Sequence, residues 1–230
     1  MTVGVAILSR YNSSRLPGKA LKEIKGKTLL KYIYERVNKV LPSEQIIIAT
    51  SEEKSDDVIS NYCKKQNWNC YRGSLDNVAE RFYESGVDLG VDYLIRINGD
   101  NLFLDIPLLE SMIKLASSGK YDFISNVKGR TYPKGMSIEI VRLDHYKDLL
   151  KEINKEEHYQ EHVTLYLYEN EIETYHFVYN NKVKEMAGIQ LAIDTKEDFD
   201  KAFTIINSFD KDHTHYNIKN IAEIISIKEL

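Results

Sequence analysis

Three cations crowd one short segment. In ILSRYNSSRLPGK, residues 7–19, Arg10, Arg15 and Lys19 are spread across a turn marked by Pro17 and Gly18. Such a turn lets the three side chains converge on an anion beside loop amides, and a triphosphate fits that demand. An ordinary solvated basic loop fits the same charges. The segment is neither a P-loop nor a dinucleotide fingerprint, because the glycines those motifs require are missing.

Two carboxylates complement the cations. RINGDN, residues 96–101, closes an apolar run and places Asp100 just past its end, and LAIDT, residues 191–195, does the same for Asp194. Two carboxylates at neighbouring strand ends, facing a cationic loop, make a hard-cation site for magnesium, with phosphates and water as the remaining ligands. An aspartate after a strand is also a routine helix cap or turn residue.

These residues need a scaffold that brings strand ends together. VGVAIL (3–8), QIIIAT (45–50), WNCYR (68–72) and VDYLIRI (91–97) read as strands, mostly continuous and β-branched, as strands buried on both faces should be. Between them, residues 28–40, 55–66 and 76–90 carry apolar residues at helical spacing, each introduced by Thr, Ser or Asp. The fold class expected is therefore α/β, with a mostly parallel central sheet and helices on both faces. Ligands then bind beyond the carboxyl ends of the strands. In the second half, MSIEIVR (136–142), IETYHFVY (172–179) and IQLAID (189–194) read as strands, and 144–153, 196–209 and 217–227 as helices. Residues 128–185 break the βαβ rhythm and are expected to form a small inserted arm, lid or subunit contact within a single domain, 1–230.

Composition narrows the partners. A net charge of -4 over 230 residues gives no basic footprint of the nucleic-acid-binding kind. Cys63 and Cys70 form neither a metal pattern nor a disulfide framework, and read as reduced thiols. The opening MTVGVAILSR lacks the basic start and length of a signal peptide, and no stretch is long enough to span a membrane, so a cytoplasmic location is expected.

SRYNSSRLPGKALKEIKGKTLLKYIYERV resembles the opening of the cytidylyltransferases that activate acidic sugars, especially the spore-coat polysaccharide group related to 3-deoxy-manno-octulosonate cytidylyltransferase. The resemblance runs through YRGSLDNVAERFYE, YLIRINGDNLFLD, RTYPKGMSIEI, EHVTLYLYEN and QLAIDTKEDF, in the family's order. It implies a nucleotide-diphospho-sugar transferase-like, Rossmann-like fold. It also implies that Ser9, Arg10, Ser13, Arg15 and Lys19 hold CTP, that Arg72, Gly73 and Ser74 border the cytosine, and that Asn98 lies near the nucleotide. Asp100 and Asp194 match the magnesium-binding aspartates. Arg130, Lys134, Glu139, Glu161 and His162 fall where relatives build the acceptor pocket, and the relatives imply a homodimer through residues 128–185. Where relatives commonly read Thr-Gly-Asp-Cys-Pro-Leu, this chain reads Asn98 to Phe103, and Ser137 stands where many carry an acid.

The implied reaction is transfer of CMP from CTP to a small acidic acceptor with release of pyrophosphate, Arg15, Lys19, Asp100 and Asp194 carrying the chemistry. Its rivals are a glycosyltransferase of related fold and a non-catalytic sugar-nucleotide binder. His162 is expected on a helix whose apolar side faces the core, where a lone histidine is more often structural.

Overall fold

The computed structural model describes residues 1–230. Every residue of β1 (Val3–Leu8) is buried, so the strand is covered on both faces. The chain then passes through the cationic loop, a 3-10 turn at Lys19–Leu21 and a hairpin of β2 (Glu23–Ile24) and β3 (Lys27–Thr28) before entering α1 (Leu29–Val37). The Thr28 hydroxyl caps α1 by accepting from Lys31 N at 3.1 Å. β4 (Ile46–Ser51), α2 (Asp57–Gln66), β5 (Asn69–Gly73), α3 (Val78–Leu89) and β6 (Tyr93–Asn98) complete the regular half. Then come α4 (Ile106–Ala116), β7 (Phe123–Ser125), β8 (Glu139–Arg142), α5 (Leu143–Ile153), α6 (Glu157–Glu161) and α7 (Leu165–Glu169). β9 (Tyr175–Phe177), α8 (Lys196–Asn207) and α9 (Ile218–Lys228) close the chain.

Seven strands form one sheet in the order β5-β4-β1-β6-β8-β7-β9. β8 pairs antiparallel with both β6 and β7, and the other pairings are parallel. Alternation along the strands splits the core: Val5, Ile7, Ile95 and Ile97 face α1 and α4, whereas Ala6, Leu8, Leu94 and Val141 face α3 and α5. A third cluster packs α8 and α9 against Leu29, Tyr32, Leu102, Phe103 and Met136 beside the strand ends. No helix is long and apolar enough to cross a membrane.

The sequence and the structure part in three places. IQLAID is not a strand: it makes one isolated bridge, Lys134 to Gln190, with backbone bonds from Lys134 N to Ile189 O and from Leu191 N to Lys134 O, each 2.9 Å. Beyond Leu191 the segment leaves the ladder to run past Asp100. Residues 128–185 are in part integral rather than inserted, since they supply β8 inside the sheet and β9 at its edge. The start of α2 carries no side-chain cap, because Asp56 turns its carboxylate to the cationic loop instead.

Candidate active site

The loop after β1 is held open by groups that are not themselves cationic. Tyr11 N donates to Asp56 Oδ1 at 2.7 Å, and Asp56 Oδ2 accepts from Ser51 N at 3.0 Å and from the Ser51 hydroxyl. Burial would raise the Asp56 pKa, but these hydrogen bonds outweigh it and hold the carboxyl below its ordinary range. The Tyr11 carbonyl accepts from Ser13 N at 3.0 Å and Gly18 N at 2.8 Å. Gly18 has φ of 70°, a conformation that costs glycine little. Leu16 is buried in the third cluster and pins the loop's far side.

Lys19 meets the two strand-end carboxylates. Its Nζ lies 3.2 Å from Asp100 Oδ2, 3.4 Å from Asp194 Oδ1 and 2.7 Å from the Ile193 carbonyl oxygen. Arg15 Nη2 reaches Asp194 Oδ1 at 2.9 Å. Two glycines permit this convergence. A Cβ on Gly99 would sit 2.9 Å from the Leu8 carbonyl oxygen, and one on Gly135 would sit 2.4 Å from Ala192 N. The ends of β1 and β6, and the 189–194 segment with the turn before β8, can therefore touch.

Magnesium can be tested against this geometry. One oxygen from each of Asp100 and Asp194 already converges on a single cation, the Lys19 ammonium. No group of three or more His, Cys, Asp or Glu side chains gathers anywhere to hold a metal. Two hard carboxylates suit magnesium bound jointly with nucleotide phosphates and water, and the residues present fit the ion on those terms.

Around these residues lies a cavity of about 460 Å³. Five basic side chains line it, Arg10, Arg15, Lys19, Arg81 and Arg96, against three acidic ones, Asp100, Glu161 and Asp194. The excess suits a polyanionic ligand. Arg81 on α3 is 2% exposed and donates to the Ser74 and Leu75 carbonyl oxygens. Burial and, secondarily, nearby Arg10 push its guanidinium down to about 10, so it stays charged at neutral pH. Arg96 on β6 donates through Nη1 to Glu139 on β8 and to the Thr164 hydroxyl. Glu139 also accepts from the Thr164 and Tyr168 hydroxyls, both at 2.7 Å. Burial and the neighbouring Glu139 charge raise the Tyr168 pKa well above the usual phenol value, which keeps it a donor.

Residues 5–228 match the family model described as Cytidylyltransferase. The chain belongs to the cytidylyltransferase family. Spore coat polysaccharide biosynthesis protein SpsF of Bacillus subtilis is 33% identical over 202 residues, covering 84% of this chain and 82% of the relative. A 3-deoxy-manno-octulosonate cytidylyltransferase of Syntrophotalea carbinolica is 26% identical over 113 residues, 49% of this chain and 44% of the relative. The solved structure of a cytidylyltransferase from Leptospira borgpetersenii superimposes with a TM-score of 0.90 at 27% identity, covering 100% of this chain and 95% of that one. This cytidylyltransferase is therefore a CTP-dependent nucleotidyltransferase that moves CMP from CTP.

The cytidylyltransferase cavity gathers most of the expected residues. Ser9, Arg10, Ser13, Arg15, Lys19, Asn98, Asp100, Glu161, His162 and Asp194 all line it. His162 does so from a break between α6 and α7, not from a continuous helix face. The break is made by Val163, which is fully buried with φ of 41°, rare for a β-branched residue, and whose carbonyl accepts from Tyr146 OH at 2.6 Å.

Other expected residues lie elsewhere. Arg72, Gly73 and Ser74 do not line the cavity. The Arg72 guanidinium is engaged by Asp57 Oδ1 and the Ser51 and Glu53 carbonyl oxygens. Arg130 and Lys134 are also outside it, and Arg130 Nη1 is 3.5 Å from Ser137 Oγ. Glu139 is 3% exposed and saturated by three donors, so it supports Arg96 and does not itself reach the cavity. Arg81, Arg96 and Asp56 are added to the site and its support by the fold. The available signal for Arg96 was a charge inside an otherwise apolar strand, which demands a partner when buried.

Proposed function

We propose that the protein transfers CMP from CTP to a small acidic acceptor, a sugar acid or similar, releasing pyrophosphate in a magnesium-assisted step of surface-polysaccharide or glycan synthesis. The observation that carries this reading is that one cavity gathers the loop cations, the carboxylates at Asp100 and Asp194, and Arg96 with Glu161 and His162. The names of the relatives, spore coat polysaccharide biosynthesis and 3-deoxy-manno-octulosonate cytidylyltransferase, support the acceptor class.

In this mechanism an acceptor oxygen attacks the α-phosphorus of CTP in line. The bond to the bridging oxygen breaks, pyrophosphate leaves with the electron pair, and the acceptor hydroxyl proton passes to solvent. Arg10 and Arg15 hold the triphosphate, and Lys19 stays against the charge that grows on the departing oxygens. Asp100 and Asp194 would hold magnesium, which when bound polarises the α-phosphate. Arg96 takes the place expected of Arg130 and Lys134 as the partner of the acceptor's anionic group, since a guanidinium offers a carboxylate two parallel hydrogen bonds. A homodimer through residues 128–185 belongs to the same reading, supported by the exposure of Ile172 and Tyr179 in that stretch. Light scattering at micromolar concentration should return twice the 26.7 kDa chain mass, and a monomer contradicts the dimer.

The test of function is pyrophosphate release from CTP with a panel of sugar acids and of neutral sugars matched in length. Release with acidic members and none with neutral ones supports the reading. Release with neutral members alone refutes the acidic acceptor.

A further inference from the structure

The cavity has one small apolar patch. Of its lining residues only Leu8 and Val78 are hydrophobic, and Arg81 lies one helical turn beyond Val78 on α3, on the same helix face. Arg81 is a buried guanidinium with no carboxylate hydrogen-bonded to it: Nη1 serves the Ser74 and Leu75 carbonyls, Nε is buried with no partner, and Nη2, which is not among the buried atoms, donates to no protein group. A buried cation whose Nε is left unsatisfied is costly unless a ligand completes it. In the guanidinium plane Nε–H and the adjacent Nη2–H form one edge, so the unsatisfied pair is a two-toothed donor.

A nucleobase is the part of CTP that needs apolar faces and a polar edge together. Cytosine presents adjacent acceptors, O2 and the unprotonated N3, whereas uracil presents O2 beside an N3–H donor. A two-donor edge matches the first and opposes the second. The residues expected to border the base, Arg72 to Ser74, leave the task open, because Arg72 is engaged elsewhere, the Ser74 hydroxyl accepts from Asn77 N at 3.0 Å and the Ser74 carbonyl accepts from Arg81.

We propose that Arg81 is the base-reading residue of this enzyme: the cytosine ring packs against Leu8 and Val78, and the Nε–Nη2 edge of Arg81 donates to O2 and N3, selecting CTP over UTP. The proposal rests on CTP being the nucleotide substrate.

Direct calorimetric titration, without acceptor and so without turnover, tests it. The wild type should bind CTP about tenfold or more tightly than UTP, as expected for a lost hydrogen bond to a charged donor. In Arg81→Met, which keeps the bulk and removes the donors, CTP should weaken and the two nucleotides should bind within about threefold of each other. The wild-type protein provides a second arm in case the variant folds poorly. 3-Deazacytidine triphosphate keeps O2 and the amino group but lacks the N3 acceptor, and it should bind about tenfold or more weakly than CTP. An Arg81→Met protein that keeps the wild-type preference for CTP, or a wild type that binds the 3-deaza analogue as tightly as CTP, overturns the assignment. Equal loss of CTP and UTP in the variant, with their ratio unchanged, would make Arg81 a phosphate contact and overturn it too. A wild type indifferent to the base refutes the CTP reading itself, an outcome separable from all of these.

Discussion

Arg96 and Glu139 are directly opposed across the antiparallel β6–β8 pair, and their side chains form an ion pair through which Glu139 supports an arginine that lines the cavity. The pair is placed by the one strand that runs against the rest of the sheet. Because Glu139 also accepts from Thr164 and Tyr168, it ties β6 to the segment carrying Glu161 and His162. The reversed strand thus connects the parallel half of the sheet to the segment that carries Glu161 and His162.

Removing one member of that pair should be felt in stability first. Glu139 has 4% of its side chain exposed, and stranding a buried partner costs on the order of 3–5 kcal/mol. Glu139→Ala is expected to lose about 3 kcal/mol or more in urea unfolding. It should also raise the KM for the acceptor more than that for CTP. A variant within about 1 kcal/mol of wild type, the range of an exposed pair, would contradict this role.

Lys19 should act mainly on rate. A group that follows charge onto the leaving pyrophosphate stabilises the transition state more than the bound substrate. Lys19→Ala is expected to cut turnover about a hundredfold or more, the scale of one lost charge-stabilising group, while CTP affinity falls much less. Steady-state kinetics beside direct binding would show otherwise if the loss were confined to affinity.

The two carboxylates that meet Lys19 should fail together. Asp100→Asn and Asp194→Asn each keep the shape of the side chain and remove the charge that a hard cation requires. Each is expected to abolish most magnesium-dependent turnover while leaving the circular dichroism spectrum unchanged. Near-normal activity in either variant would remove that residue from the proposed metal site.

Acid should weaken the fold through His213. This residue is 5% exposed, with Nε2 2.8 Å from Glu35 Oε2 and Nδ1 without a partner. Burial lowers its pKa below 6.5, against a smaller raising influence of Glu35. Above 6.5 folded and unfolded chains both carry neutral imidazole, and no stability is at stake. As pH falls below 6.5 the unfolded chain binds a proton that the folded one resists, so stability declines toward the folded value. Glu35, held below its ordinary range by Lys27 and His213 despite burial, adds a further loss at lower pH. Thermal melts should show Tm falling from pH 7 to 5.5, with a shallower fall in His213→Phe. Parallel curves for the two proteins would exclude His213 as a cause.

Much of this was legible before any coordinate. The alternation of apolar runs and amphipathic segments specifies the parallel half of the sheet, because a strand buried on both faces has few other sequences open to it. Arg10, Arg15, Lys19 and Asp100 could be read from their places at strand ends. Asp194 reached the site for a different reason than its sequence suggested: IQLAID has a strand's composition, but it parts from its ladder to pass Gly135 and Asp100. Arg81 and Arg96 were illegible because helical and strand periodicity weigh apolar residues and discount a lone charge. Asp56 sits inside a segment with helical spacing, and only the fold brings Tyr11, 45 residues away in sequence, to its carboxylate.

The central claim is that CMP, and not a phosphoryl group alone, is transferred. CTP labelled at the α-phosphorus and, in parallel, at the γ-phosphorus, incubated with the enzyme, magnesium and a sugar-acid acceptor, tests it most directly. The account predicts the α-label in a phosphodiester joined to the acceptor and the γ-label in pyrophosphate. An α-label recovered only in CDP, with the γ-label on the acceptor or in inorganic phosphate, would contradict it.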